Sequence, residues 1–186
     1  MDDPPLLVED ADDFQLHGLP PARIINRPSP CQGAAPLPIH IQDVLSFSGR
    51  DYVVEGTVLY RLAGKTSVLA RAVDGDVVTW VESPDDGAGA GNQRLLLMRE
   101  IHDLDLTVPP PECIDYHRQS YVQRLAARAT IETAGTTPEH ATGALQVWRY
   151  RAAGDLHLQI EEAAGRVFMM AGEAVPRGMI DHLPGR

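Results

Sequence analysis

Cysteine is nearly absent: a chain of 186 residues holds two, Cys31 and Cys113. Two thiols build no disulfide framework, and in a reducing compartment both stay free. Positive charge is scarce as well. Sixteen Lys and Arg stand against twenty-six Asp and Glu, a net charge of −10, and a field of that sign repels a nucleic-acid backbone unless a local basic stripe overcomes it. No such stripe occurs. Arg124 and Arg128 come nearest to one, and they suit the wet face of a strand. Nucleic acid is therefore excluded as a partner. Long apolar runs are missing too: Leu95-Leu96-Leu97-Met98 is one of the longest, far below the roughly twenty residues that a membrane-spanning helix needs. Met1-Asp2-Asp3-Pro4-Pro5 has neither the positive region nor the apolar core of a secretory signal. The expectation is a cytoplasmic protein with no membrane span. There is no phosphate-cradling glycine loop, nucleophile elbow or spaced cysteine pair, so no cofactor is expected.

What is present divides into three stretches. Residues 1–38 carry acids at 2, 3, 9, 10, 12 and 13, then prolines at 20, 21, 28, 30, 36 and 38. Proline removes a backbone donor and biases its predecessor toward extended conformations, so this reads as an arm without regular structure. Its apolar residues, Phe14, Leu16, Leu19, Ile24 and Ile25, give it something to lay along a folded part. Residues 39–108 read as a first β unit and 109–186 as a second, divided at Pro109-Pro110-Pro111.

The signals within both units are those of strands. Val54, Gly56, Val58, Tyr60 and Leu62 alternate with Glu55, Thr57 and Arg61, and a period of two buries one face. Ser48-Gly49-Arg50 and Asp74-Gly75-Asp76 are turn signals, and Pro84-Asp85-Asp86-Gly87 opens a long loop. Residues 121–133 are the ambiguous segment, since their alanines and arginines suit a helix. Leu125, Ala127, Ala129 and Ile131 nevertheless alternate with Arg124, Arg128, Thr130 and Glu132, which predicts a strand.

The units also look alike. Residues 45–53 align without a gap on residues 114–122, matching an aliphatic residue, two aromatics and a valine. Each then runs to a lone tryptophan, Trp80 or Trp148, and on to a leucine-rich segment ending in an acid, at Glu100 or Glu162. Self-similarity at a fixed spacing indicates a duplicated unit. The predicted fold is all-β: two small barrel-like or strongly bent antiparallel sheets packed together, with Tyr52 corresponding to Tyr121 and Trp80 to Trp148.

The run Gly49-Arg50-Asp51-Tyr52-Val53-Val54-Glu55-Gly56-Thr57, with Trp80-Val81-Glu82, Leu158-Gln159-Ile160-Glu161-Glu162, Gly172-Glu173 and residues 180–185, resembles the bacterial domain-of-unknown-function family 4178. The likeness covers about residues 39–185 and contains no catalytic signature. It implies a β-rich bacterial protein, and some relatives look like companions of envelope-stress and polyamine-synthase-like proteins.

Three constellations could carry chemistry. Cys113, Asp115 and His117 fall on one side of a strand, where thiolate, carboxylate and imidazole could ligate a metal or pair a nucleophile with a base. Their aligned positions are Val44, Ser46 and Ser48, which favours a solvated face with Ile114 and Tyr116 pointing inward. His102-Asp103-Leu104-Asp105 offers ligands but reads as a wet turn. Glu82, Glu100, Glu161 and Glu162 offer paired carboxylates, though acids at strand ends are normally solvated. Trp80 and Trp148 read as core anchors and Met169-Met170 as adaptable packing. The sequence thus favours a non-catalytic binding or adaptor module of a bacterial stress or envelope-associated system, with a protein partner. Its rival is a small enzyme or metal-binding protein with a site near Cys113, Asp115 and His117. Oligomeric state is not legible.

Overall fold

A computed structural model of the chain describes residues 38–62, 64–83 and 94–185. The expected N-terminal arm, except residue 38, and the long loop opened by Pro84 lie outside the described residues. Among these, eleven strands follow in order: β1 (Val44–Phe47), β2 (Arg50–Leu62), β3 (Lys65–Asp74), β4 (Val77–Ser83), β5 (Arg94–Glu100), β6 (Cys113–Tyr116), β7 (Gln119–Gly135), β8 (Gly143–Arg151), β9 (Leu156–Ala163), β10 (Arg166–Pro176) and β11 (Asp181–Leu183). The ambiguous segment is a strand, as its alternation demands: it forms most of β7.

All eleven strands join one antiparallel sheet in the order β11-β1-β2-β3-β4-β5-β10-β9-β8-β7-β6, and β2 also pairs with β7. That extra pairing closes eight strands, β2 through β5 and β7 through β10, into a barrel. The two sheets expected to pack face to face are therefore one sheet. The reason lies at the edges. A four-stranded meander leaves a row of unpaired N–H and C=O groups on each side, and here β5 meets β10 while β2 meets β7, so each half satisfies the other.

Two hairpins stand at the corners. Ser48-Gly49 joins β1 to β2 and His117-Arg118 joins β6 to β7, all four with positive φ, the conformation whose twist suits a two-residue hairpin. Leu45 faces Tyr52 in the first and Ile114 faces Tyr121 in the second. Each long strand then carries an irregularity at the same distance from its tyrosine, between Val54 and Gly56 in β2 and between Gln123 and Leu125 in β7. A bulge lets two residues oppose one and turns the side chains beyond it to the other face. Tyr52 and Val54 accordingly pack outside the barrel, whereas Val58 and Tyr60 fill its lumen.

Three apolar clusters result. Val58, Leu69, Trp80, Met98, Ile131 and Met170 pack in the lumen. Leu45, Tyr52, Val54 and Ala72 form an outer cluster under the first hairpin, and Ile114, Tyr121, Trp148 and Ile160 form another under the second. The expected match of Trp80 with Trp148 fails here. Trp80 lies on β4, paired with Arg71 and Met98 in the lumen, while Trp148 lies on β8 and faces outward. The two tryptophans are one strand out of step, which aromatic spacing in a linear alignment cannot reveal. Both are buried. The leucine-rich segments are out of step likewise, β5 against β9.

Outward positions of β2 and β7 carry Arg61, Arg128 and Glu132, with Arg61 paired to Glu132. That is a wet surface and not the apolar band of a lipid-facing barrel. No helix among the described residues is long and apolar enough to cross a membrane.

Candidate functional site

The lumen is not uniformly apolar. Two glutamates are sealed in it, Glu82 at 0% and Glu161 at 2% exposure. Solvated acids were expected at these positions, and cross-strand pairing explains the difference. Glu82 faces Leu69, and Glu161 faces Val147 and Phe168, so both carboxylates belong to the inward-pointing set of their strands. Glu100 is exposed, as expected, and Glu162 is partly so.

A buried carboxylate persists only when charged or hydrogen-bonding partners replace its water. Glu82 Oε1 accepts from Ser67 Oγ at 2.7 Å and from Arg149 Nη2 at 2.6 Å. Burial works against the Arg149 charge, and the Glu82 carboxylate outweighs it, so the guanidinium pKa stands above its ordinary value. Glu161 Oε1 accepts from Tyr60 Oη at 2.6 Å and from Gln159 Nε2 at 2.5 Å. Its Oε2 lies 2.9 Å from His140 Nε2. Burial and the Glu161 charge raise the Tyr60 phenol well above its usual pKa, which keeps it a donor. The two lumen carboxylates thus draw in the guanidinium of Arg149, the imidazole of His140, the phenol of Tyr60 and the amide of Gln159.

His140 comes from the loop between β7 and β8, and two glycines place it. Gly135 turns the chain at φ 70, and Gly56 lets the loop backbone pass: a Cβ there would sit 2.3 Å from the Thr136 carbonyl oxygen. The Thr136 N–H then donates to the Glu55 carbonyl and the His140 N–H to the Thr137 carbonyl. The imidazole drops into the barrel end edge-on to Trp80 and Phe168, with ring centroids 5.1 and 4.9 Å away.

Above this cluster lies a cavity of about 210 Å³, walled by the β7–β8 loop and the β9–β10 turn. Glu139, His140, Glu161, Arg166 and Phe168 line it, with Ile131, Leu145 and Ala163 supplying apolar wall. Two of its residues bear buried polar atoms without a protein partner, Glu139 Oε2 and His140 Nδ1. A second concavity, about 620 Å³ and open to solvent, crosses the outer faces of β5 and β10 between the two hairpins. Leu97, Ala171 and Gly172 form its floor, Phe47 and Tyr116 stand on opposite sides, and Arg99 and Glu173 bring one charge of each sign.

The residues singled out in the sequence fall elsewhere. Cys113, Asp115 and His117 are all exposed, opposite the buried Ile114, as the alignment with Val44, Ser46 and Ser48 implied. Cys113 Sγ lies 3.3 Å from Ser120 Oγ. His117 has left the strand for the turn, at φ 47, where it stacks on Tyr116 and its Nε2 meets Asp103 Oδ2 at 3.2 Å. The structure does not bring this thiol and imidazole together, because strand alternation stops one residue before His117. Asp103 also accepts from Tyr116 Oη at 2.8 Å, which lowers the carboxyl pKa, while burial and that bond push the phenol up to about 12. Among the described residues, no group of three or more His, Cys, Asp or Glu is placed to hold a metal ion. Sequence reasoning missed Tyr60, Arg149 and His140 as polar lumen residues. Tyr60 and Arg149 carry a signal, being polar members of inward-facing strand positions; His140 carries none, since it arrives from a loop.

Fold and site together define a closed antiparallel β-barrel with a polar, carboxylate-bearing lumen and a cavity at one end. The family described as domain of unknown function (DUF4178) matches residues 40–177, and the chain belongs to that family. No curated protein and no solved structure matches the chain.

Proposed function

We propose that the protein is a non-catalytic binding module whose ligand site is the cavity at the end of the barrel. One observation carries the reading: a concave, partly apolar space in which buried polar atoms, Glu139 Oε2 and His140 Nδ1, stand without protein partners. A few convergent polar groups in an otherwise apolar concavity are the ordinary make-up of a small-molecule site. The separation of Cys113 from His117 also speaks for binding over catalysis, since the thiol's neighbour is Ser120 and the imidazole's is Asp103. The test is chemical-shift mapping of the isotope-labelled chain against a panel of small organic molecules. Saturable shifts confined to Ala163, Val167 and Phe168 are expected; a panel that leaves these signals unmoved defeats the reading.

The outer groove favours a second reading, an adaptor that seats an extended segment of a protein partner. Rings on both walls and lining charges of both signs suit a peptide of mixed character. Peptides selected on the wild type from a random display library should lose affinity for a Tyr116→Ala, Arg99→Ala variant. Unchanged affinity would place their site elsewhere.

The setting we infer, a bacterial stress or envelope-associated system in the cytoplasm, rests on the family resemblance and on the acidic composition. We also infer that the two halves descend from one unit, a reading supported by the shared hairpin register and bulge positions.

A further inference from the structure

We infer that the cavity at the barrel end takes a small organic cation, an ammonium or guanidinium group on a short apolar body. The inference rests on the reading of that cavity as a ligand site and names the class of its ligand. Three independent features point the same way. First, the lining charge is negative: Glu100, Glu139 and Glu161 face a single guanidinium, Arg166. Deeper in the lumen Glu82 is matched by Arg149, while Glu161 is met by hydrogen bonds from Tyr60, Gln159 and His140. Second, the orphaned atoms on the wall are acceptors. His140 Nε2 donates to the Glu161 carboxylate, and in the Nε2–H tautomer its Nδ1 is an acceptor without a protein partner. Its side chain is 2% exposed. Glu139 Oε2 is the second such acceptor, so the ligand must donate. An anion or a carbonyl would meet two more acceptors and be repelled. Third, Phe168 lines the cavity and packs edge-on with both His140 and Trp80, and an aromatic wall beside carboxylates suits a weakly hydrated organic cation better than a small, strongly hydrated metal ion. Ile131, Leu145, Ala163 and Val167 accommodate the hydrocarbon part.

The experiment uses the full chain and four probes, n-butylammonium, butylguanidinium, 1-butanol and butyrate, titrated by heteronuclear NMR at constant ionic strength. The two cations are expected to saturate at one site and to shift Ala163, Val167 and Phe168, with butanol at least tenfold weaker and butyrate without effect. Glu139→Gln should weaken the cations about tenfold, the size of one charge-assisted hydrogen bond, and leave butanol unchanged. Glu139 is partly exposed, so that variant keeps the fold, which its unchanged amide spectrum would verify. Phe168→Leu provides a second variant with the same expected loss for the cations. If butanol or butyrate binds at the same residues as well as the cations do, the cation assignment is overturned while the ligand cavity survives. If no probe moves these residues, the orphaned acceptors are met by water alone and both readings fall.

Discussion

Glu82 and Arg149 form an ion pair inside the barrel, 2.6 Å apart, in which the carboxylate is wholly buried and the guanidinium keeps a partly exposed edge. Such a pair adds little net stability because its Coulomb gain is spent on desolvation, yet removing one partner leaves an uncompensated buried charge. Arg149→Met is therefore expected to destabilise the fold by about 3 kcal/mol or more, measured by urea unfolding. The double variant Glu82→Leu, Arg149→Met should recover most of that loss. A double variant as unstable as the single one would show that Ser67 and the surrounding lumen depend on the carboxylate itself.

The seam between β5 and β10 depends on Gly172. A Cβ at that position would lie 1.9 Å from the Leu97 carbonyl oxygen and 2.7 Å from Met98 Cα, and both obstacles are backbone atoms of the paired strand. The side chain cannot fit unless the seam opens. Gly172→Ala is expected to cost more than about 3 kcal/mol, beyond the usual range for a point substitution. Gly178, with nothing within 4 Å of its would-be Cβ, is the control, and Gly178→Ala should change the melting midpoint by only a degree or two.

Asp43 ties the C-terminal segment to the start of the sheet. Its Oδ2 accepts from the His40 N–H at 2.7 Å and meets His182 Nε2 at 2.7 Å, and its Oδ1 accepts from the Gly185 N–H at 2.7 Å. Burial alone would raise its pKa, but these bonds together hold it below the ordinary carboxyl value. The folded state therefore releases this proton more readily than the unfolded chain does. The stabilisation is present above the unfolded value near pH 4 and is lost as pH falls through the lower folded value. Asp43→Asn should cost about 2 kcal/mol at pH 6. The gap between wild type and variant should narrow when the same unfolding curves are taken near pH 3, and a constant gap would exclude the carboxylate charge as its source.

Much of the architecture is written in short-range signals. Alternation along β2 and β7, turn residues at Ser48-Gly49 and the polar–apolar pattern around Ile114 are local, and each reads correctly. The barrel itself is not legible, because closure depends on which edges meet, and the β5–β10 and β2–β7 pairings join residues far apart in sequence. The bulges after Val54 and Gln123 hide for a related reason. Alternation continues through them in sequence while the buried face changes sides in space. Glu82 and Glu161 read as solvated acids for another reason: β4 and β9 are buried on both faces around them, so no alternation marks the inward set. His140 lies furthest from view: its place is set by the close approach at Gly56, which no periodicity records.

Substitutions at β6 separate a binding module from a metal or thiol enzyme. Cys113 is exposed and touches Ser120, and His117 is exposed in a turn at positive φ. Cys113→Ser preserves a hydroxyl partner for Ser120, and His117→Asn places a residue that tolerates this conformation. Exposed polar substitutions of this kind typically change stability by less than about half a kcal/mol. The double variant should therefore melt with the wild type, and neither protein's curve should move when a chelator is added, since a metal bound only to the folded state would add stability that the chelator removes. Small-ligand shifts at Ala163, Val167 and Phe168 should also be identical in the two proteins, because the hairpin tip lies outside the set of residues that line the cavity. One tightly held metal per wild-type chain, lost in the double variant together with several degrees of midpoint, would instead put the working site at Cys113, Asp115 and His117.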